Sequence, residues 1–547
     1  MRKAGKALAF VLAVVMAAGT LTACGGGGKT SEAPATTATS AAESGEQKET
    51  GAESKAETEA AVSEKAGGGK IIIATATSPK TFYMPSSTST GDYFTAQPVM
   101  EQLGRVNGDG SISPWLAESF ETDADNLKFV IKLRDGVNFH DGTVCDADVV
   151  VWNIEQYIEN GKASEIGSPK TVTALDNLTV EIQYEQWANN WDDVIGRIFI
   201  CSKEAYEKNG KEWCSINAVG TGPFKLESYI ADNKVSYVKN EDYRLEGQPY
   251  VDALEIDIIS DVNTRVSALM NKEIDIAMKF ENNQIIQTIK AAGFENIGQR
   301  SANVADIKHI IWNSKNTDHP MGDLKVRQAI MHAIDWENVA LTLSGGLGEA
   351  TPLFCTKDSW AYNPEAEFYE FNVELGKQML AEAGYPDGFT TKIYATSANN
   401  DTATAFQACL ALLNIKADVE IMDSSALAAI QKEDDIDGFI ANRGASQMDY
   451  TANYIRLYSS EGIKNHGIML RPAEFEEPLF AARSAKTLEE KKANLQKASK
   501  ALVQDYVMLT PLSVVYYESF AQPQVKDAGI YESTLEQWTP EAIYIAQ

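Results

Sequence analysis

The stretch PWLAESFETDADNLKFVIKLRDGVNFHDGTVCDADVVVWNIE, Pro114 to Glu155, changes its period in the middle. Phe129, Ile131 and Leu133 alternate with less apolar neighbours, a period of two that predicts a half-buried strand. Asp135-Gly136 and Asp141-Gly142 follow, dipeptides that favour tight turns because Gly takes the left-handed backbone without steric cost. Asp146 then offers a carboxylate to the free amides of a helix that Gly161 can end. The same alternation spreads outward. KIIIAT, from Lys70, is β-branched and reads as a buried first strand. YVDALEIDIISDVNTRVSALMNKEIDIAM, from Tyr250, reads as strand, helix, strand. MGDLKVRQAIMHAIDWENVALTL, from Met321, predicts one amphipathic helix capped by Asp323, with Val326, Ala329, Ile330, Ala333 and Ile334 on its apolar side. ELGKQMLAEAGYPDGF and LEEKKANLQKASKALVQDYV predict two more helices. With no fixed repeat, the pattern is that of a mixed α/β chain of several lobes.

A chain of 547 residues with 44% hydrophobic residues can build two or three packed cores. Its net charge of -29 argues against a nucleic-acid partner, which needs clustered Lys and Arg to neutralise phosphates. At the N-terminus, Arg2, Lys3 and Lys6 precede an apolar run from Ala7 to Ala18. That run is shorter than the roughly 20 residues of a spanning helix, and a basic start with a short apolar core describes an export signal. It ends at Leu21-Thr22-Ala23-Cys24, and four glycines follow the cysteine. From Gly25 to Gly69 the residues are almost all small or polar, too poor in apolar surface to offset the entropy of ordering. About 45 residues of flexible coil would span roughly 35 to 40 Å.

The usual marks of catalysis are missing. No GxSxG elbow, Walker loop or GxGxxG fingerprint is present, and VGTGPF, Val219 to Phe224, lacks the Lys and the following helix of a phosphate loop. His140, His309, His319, His332 and His466 are scattered, so neither a metal site nor a cofactor is expected. Besides Cys24 there are Cys145, Cys201, Cys214, Cys355 and Cys409, an odd number. Cys201 and Cys214 are close enough in sequence to close a short loop, and a disulfide or two free thiols are equally compatible with that spacing.

Several blocks together resemble the peptide/nickel family, family 5, of extracellular solute-binding proteins of ABC importers. The opening stretch looks like the family signature. VGTGPFKLESY with NEDYR and VDALEIDII resembles the next block, then IWNSKNTDHPMGDLKVRQAIMHAID, then MLAEAGYPDGF, in the family's order. Leu21 to Cys24 resembles the lipobox of bacterial lipoproteins, in which the Cys is acylated and becomes the mature N-terminus. The resemblance implies an α/β, type II periplasmic-binding-protein fold with three lobes and a ligand cleft between two hinged lobes. Residues 1–23 would be the lipoprotein signal peptide and 24–69 the lipid-anchored disordered linker. Residues 70–107, 217–303 and 511–547 would form lobe I, 108–216 an inserted extra lobe, and 304–510 lobe II.

The implied role is capture of oligopeptides or dipeptides, or of another small solute such as an oligosaccharide, a nickel chelate or haem. Delivery would be to an ABC permease and its ATPase by a monomer anchored on the outer face of the cell membrane, and so long a tether favours a single-membrane bacterium. The implied protein is not an enzyme, a surface hydrolase on the same fold being the remaining alternative. Peptide-binding members pair the ligand's α-amine with an Asp that follows a Gly-Trp stretch. The matching region here, DIDGFIANRGASQMDYTANYIRLYSS, keeps Asp449-Tyr450, with Arg443 on the approach, but has no Trp after Gly444. Asp449 could match either Asp of the family pattern. If it faces the cleft it requires a ligand ammonium or a protein Arg, since an unpaired buried carboxylate is costly; otherwise it is an exposed loop residue. Phe82, Tyr83, Tyr93 and Phe94 follow the first strand where the family lines its cleft, with core packing as the alternative.

Overall fold

The computed structural model describes residues 67–107, 111–300, 306–433, 435–445, 449–462, 467–532 and 537–546. The expected signal, Cys24 and nearly all of the linker lie outside them. Three sheets organise the described residues. The first has seven strands, in the spatial order Glu295–Asn296, Glu518–Ala521, Ile276–Phe280, Lys70–Thr75, Ala253–Ile258, Lys234–Lys239 and Phe224–Ile230. Lys70–Thr75 lies in its middle, parallel to Ala253–Ile258 and to Ile276–Phe280. Parallel strands are covered on both faces, which is why KIIIAT is a nearly continuous apolar run, with Ile71, Ile73 and Ala74 fully buried.

The second sheet has five strands, Lys416–Met422, Thr390–Thr396, Phe439–Ala445, Asp306–Trp312 and Leu509–Val515. Apolar cores cover both of its faces. The third has four antiparallel strands, Ala117–Asp123, Lys128–Leu133, Thr179–Gln183 and Thr171–Asp176. Its buried residues Phe129 and Ile131 belong to the same core as Ile71 and Ile73 of the first sheet.

The chain returns from the second sheet to the first at Tyr516 and Tyr517, between Leu509–Val515 and Glu518–Ala521. Sequence reading places that return at Pro511, but Pro511 pairs with His309 inside the second sheet. All 7 residues of Leu509–Val515 are buried, and the strand cannot end until its apolar run does.

The opening stretch folds as its pattern predicts. Phe129, Ile131 and Leu133 turn one face of Lys128–Leu133 inward. Gly136 and Gly142 take φ of 75° and 86°. Helix Ala147–Glu159 starts where Asp146 Oδ1 accepts from the amide of Val149 at 3.1 Å. In VGTGPF the glycines serve close packing: a Cβ on Gly220 would stand 2.2 Å from the Val99 carbonyl oxygen.

The helix expected from Met321 onward is two helices, Leu324–Met331 capped by Asp323 and Trp336–Leu343 capped by Asp335. Asp335 opens the second by accepting from the Asn338 amide, while Ala333 and Ile334 stay buried in the break. The buried face therefore continues even though the helix does not.

Candidate functional site

Arg443 lies on Phe439–Ala445, next to Asp306–Trp312 in the second sheet. Its Nε donates to Asp306 Oδ2 at 3.2 Å and its Nη1 to Glu281 Oε2 at 2.9 Å. The Tyr517 hydroxyl donates to the same Asp306 oxygen at 2.5 Å, and the guanidinium stands 5.2 Å from the Tyr517 ring centre. Glu281 follows the last residue of Ile276–Phe280 in the first sheet, so Arg443 ties the two sheets together beside the Tyr516-Tyr517 crossing. Arg443 Nη2 is buried with no hydrogen-bond partner among the described residues, which leaves both of its N–H groups for an acceptor.

Asp449 is the N-cap of helix Tyr450–Tyr458, its Oδ1 accepting from the amides of Thr451 at 2.9 Å and Ala452 at 3.3 Å. Its Oδ2 accepts from Lys491 Nζ at 3.2 Å, with the two side chains only 8% and 10% exposed. Asp449 is thus not an exposed loop residue, and the cation that accompanies it is a lysine of this chain rather than an arginine. Lys491 Nζ also stands 5.7 Å from the ring centre of Trp360. Tyr450 is fully buried and packs edge to face with the same Trp360 in the core of the second lobe. The first position of an inward-facing helix leaves it behind the site rather than in it.

Across from Asp449, Asp193 pairs with Arg197 one helical turn away, whose Nε donates to Asp193 Oδ1 at 2.7 Å. Burial raises the Asp193 carboxyl above its ordinary value, Arg197 opposes that, and the negative charge of Asp449 adds to it. The two carboxylates therefore feel each other from different lobes. Tyr93 belongs to the same neighbourhood. It packs at 5.8 Å on Phe199, and its hydroxyl is pushed up to about 12 by burial first, with Glu165 adding and Arg197 opposing. Tyr83 does not join it. It is buried, donates to Gln156 Oε1 at 2.6 Å and stacks on Tyr206, and Phe82 and Phe94 are also fully buried, so these three rings are core. Phe82 packs edge to face on Tyr229 and Phe94 stacks on Trp538 within the first lobe, while Tyr83 reaches into the inserted lobe.

The inserted and second lobes also touch through Asn189. Its Nδ2 donates to the carbonyls of Ala482 at 2.9 Å and Ala485 at 3.1 Å, and its amide to that of Arg483 at 3.3 Å. These carbonyls lie at the C-terminal end of helix Ala473–Ser484, where that of Ala482 also accepts from the Ala485 amide at 3.4 Å. Beside this contact a cavity of about 590 Å³ opens between the lobes, with Trp187 and Trp191 on one wall and Thr487, Leu488 and Lys491 on the other.

Asn189, Asp193, Arg197 and Lys491 are not marked in the sequence as site residues. Trp187 precedes the helix Trp191–Gly196, so the spacing of the two tryptophans carries no helical signal that they meet. Cys201 and Cys214 are both free thiols. Cys201 Sγ instead reaches Asn153 Oδ1 at 3.2 Å, and burial pushes the Cys201 and Cys214 thiols up to about 12 and about 11. Among the described residues no group of three His, Cys, Asp or Glu is placed to hold a metal ion. Nor is any helix there long and apolar enough to cross a membrane.

Residues 111–465 match the family described as bacterial extracellular solute-binding proteins, family 5 Middle. The chain is 29% identical over 372 residues to heme-binding protein A of Haemophilus influenzae, covering 62% of this chain and 66% of that protein. It is 24% identical over 518 residues to oligopeptide-binding protein AppA of Bacillus subtilis, covering 88% of this chain and 92% of that one. Among solved structures, the ABC transporter-associated periplasmic binding protein DppA from Helicobacter pylori, in complex with the peptide STSA, superposes with a TM-score of 0.74 at 22% identity. That superposition covers 89% of this chain and 100% of the other. At this identity the likeness speaks for the fold, a mixed α/β architecture of the type II periplasmic-binding-protein kind.

Proposed function

Because the chain belongs to the bacterial extracellular solute-binding proteins of family 5, we propose that it captures oligopeptides or dipeptides outside the cell and hands them to the permease of an ABC importer. The second lobe closes on the first and the inserted lobe, and the peptide is enclosed between them. The observation that carries this reading is the cavity of about 590 Å³ between lobes, which falls within the roughly 300 to 1,000 Å³ that suits a small bound solute. It opens at a contact made by two separate lobes, so a ligand touching both walls favours the closed form by its extra affinity for it. The near full-length match to a protein named for oligopeptide binding supports peptide as the class. Asp449, Arg443 and Tyr93 are the sequence-marked residues we place in the site, with Lys491, Asp193 and Arg197 as their charged neighbours. We assign Cys24 as the lipid-bearing residue and the segment that follows it as the tether.

The test is native mass spectrometry of protein purified without refolding, followed by calorimetric titration with a peptide library. Intact peptide recovered from the protein and micromolar or tighter binding are expected. Turnover of the library by pure protein would sink the receptor reading. For the anchor, Cys24→Ala is expected to move the protein from the membrane fraction to the culture medium.

A further inference from the structure

Trp187 and Trp191 have fixed orientations and unused donors. Their rings meet edge to face with centres 4.9 Å apart, and Trp191 stacks on Tyr184 at 4.3 Å with the planes 10° apart. Both line the cavity between the inserted and second lobes. Trp191 is 1% exposed, yet neither indole Nε1 has a hydrogen-bond partner among the described residues. A buried N–H without an acceptor is costly, and two in one wall point to an acceptor that comes with a ligand.

The rest of the wall narrows the ligand's chemistry. Phe120 from the third sheet and Leu488 from the second lobe add apolar surface. Lys491 is paired with Asp449 and Lys486 with Asp125, and Asp192 is exposed to water, so the lining holds no buried unpaired charge for a charged side chain to meet.

We propose that this cavity is a pocket for an uncharged aromatic side chain of the bound peptide, with neighbouring peptide carbonyls accepting from the two indole N–H groups. The proposal rests on the reading of the chain as a peptide receptor and adds a preference to it. Aromatic rings pack against one another at edge-to-face or offset angles, and the Trp187–Trp191 pair, with planes 79° apart, presents an aromatic cluster that a third ring from a ligand can extend. The walls come from two lobes, so the ring is gripped only when they are together.

The experiment uses the full chain with tetra-alanine, the four tetrapeptides carrying one Phe among three Ala, and a glucose tetrasaccharide as probes. Affinity is read by calorimetry and the indoles by their own fluorescence. At least one Phe peptide is expected to bind about tenfold more tightly than tetra-alanine and to shift the tryptophan emission. Trp187→Phe keeps a ring but removes one N–H, and is expected to weaken peptides roughly threefold to tenfold. Leu488 is 64% exposed, so Leu488→Ala leaves the fold intact and is expected to reduce the Phe preference. Equal binding of tetra-alanine and all Phe peptides would remove the pocket while leaving the peptide receptor standing. Binding of the tetrasaccharide alone, or of no probe, would overturn both.

Discussion

The Asp449 carboxylate and the Lys491 ammonium are both taken out of water and answer mainly to each other. Removing one member of such a pair leaves a buried charge alone and costs about 3 to 5 kcal/mol, whereas replacing both by uncharged groups is close to neutral. Lys491→Met is therefore expected to lower stability by about 3 kcal/mol, and Asp449→Asn with Lys491→Met to recover most of it, measured by urea denaturation. Equal losses in the single and double variants would show that the two charges are not coupled. Sequence could not reveal this pair. Lys491 lies 42 residues from Asp449, and its neighbour Lys492 is of the same type but exposed. Asp146 was legible because the amide it caps lies three residues along. The histidines carry a second expectation at this scale. Burial holds His140 and His309 down to about 4 from an ordinary 6.5. Between those values the unfolded chain takes up a proton that the folded chain refuses. Stability is thus full above pH 6.5 and falls as the pH drops toward 4, by about 1.4 kcal/mol per pH unit for each histidine. Melting followed from pH 7 to pH 4 should be less steep in His309→Gln than in the parent; an unchanged slope would count against that histidine.

Helix Ala473–Ser484 ends on carbonyls that the inserted lobe completes through Asn189, a cap supplied by a different lobe. Each such hydrogen bond contributes about 0.5 to 1.5 kcal/mol net, and opening the lobes returns these carbonyls to water. Asn189→Ala is expected to release bound solute about tenfold faster in stopped-flow measurements and to expand the particle in X-ray scattering. Unchanged release would mean that the contact plays no part in closure. The contact is long-range, so nothing near WANNWDD could announce it, whereas strand alternation and helix caps are local patterns and were readable. The break between Leu324–Met331 and Trp336–Leu343 was missed for a related reason. Ala333 and Ile334 keep the apolar face continuous through it, and periodicity reports burial rather than hydrogen bonding. The same limit explains Tyr83 and Tyr450. Being aromatic and near the site in sequence does not say which way a ring turns, and both turn into core.

At the scale of the molecule, the first sheet and the inserted lobe share one apolar core, while the second sheet has its own on each face. Scanning calorimetry is expected to resolve two unfolding events, one for the first sheet with the inserted lobe and one for the second lobe. A bound solute gripped by both should draw them together. A single transition without ligand would show that the crossing couples the lobes fully. The Arg443–Glu281 pair beside that crossing contributes little to such coupling, because Glu281 is 49% exposed and an ion pair so placed is worth at most about 1 kcal/mol. The strand order of the first sheet has another consequence. Glu518–Ala521, almost the last strand made, sits between Glu295–Asn296 and Ile276–Phe280, and Leu509–Val515 completes the second sheet just before it. Neither sheet is complete until these two strands, distant in sequence from their partners, have joined it. Both sheets are thus closed by pairing between segments far apart in the chain, and such non-local closure makes for slow folding.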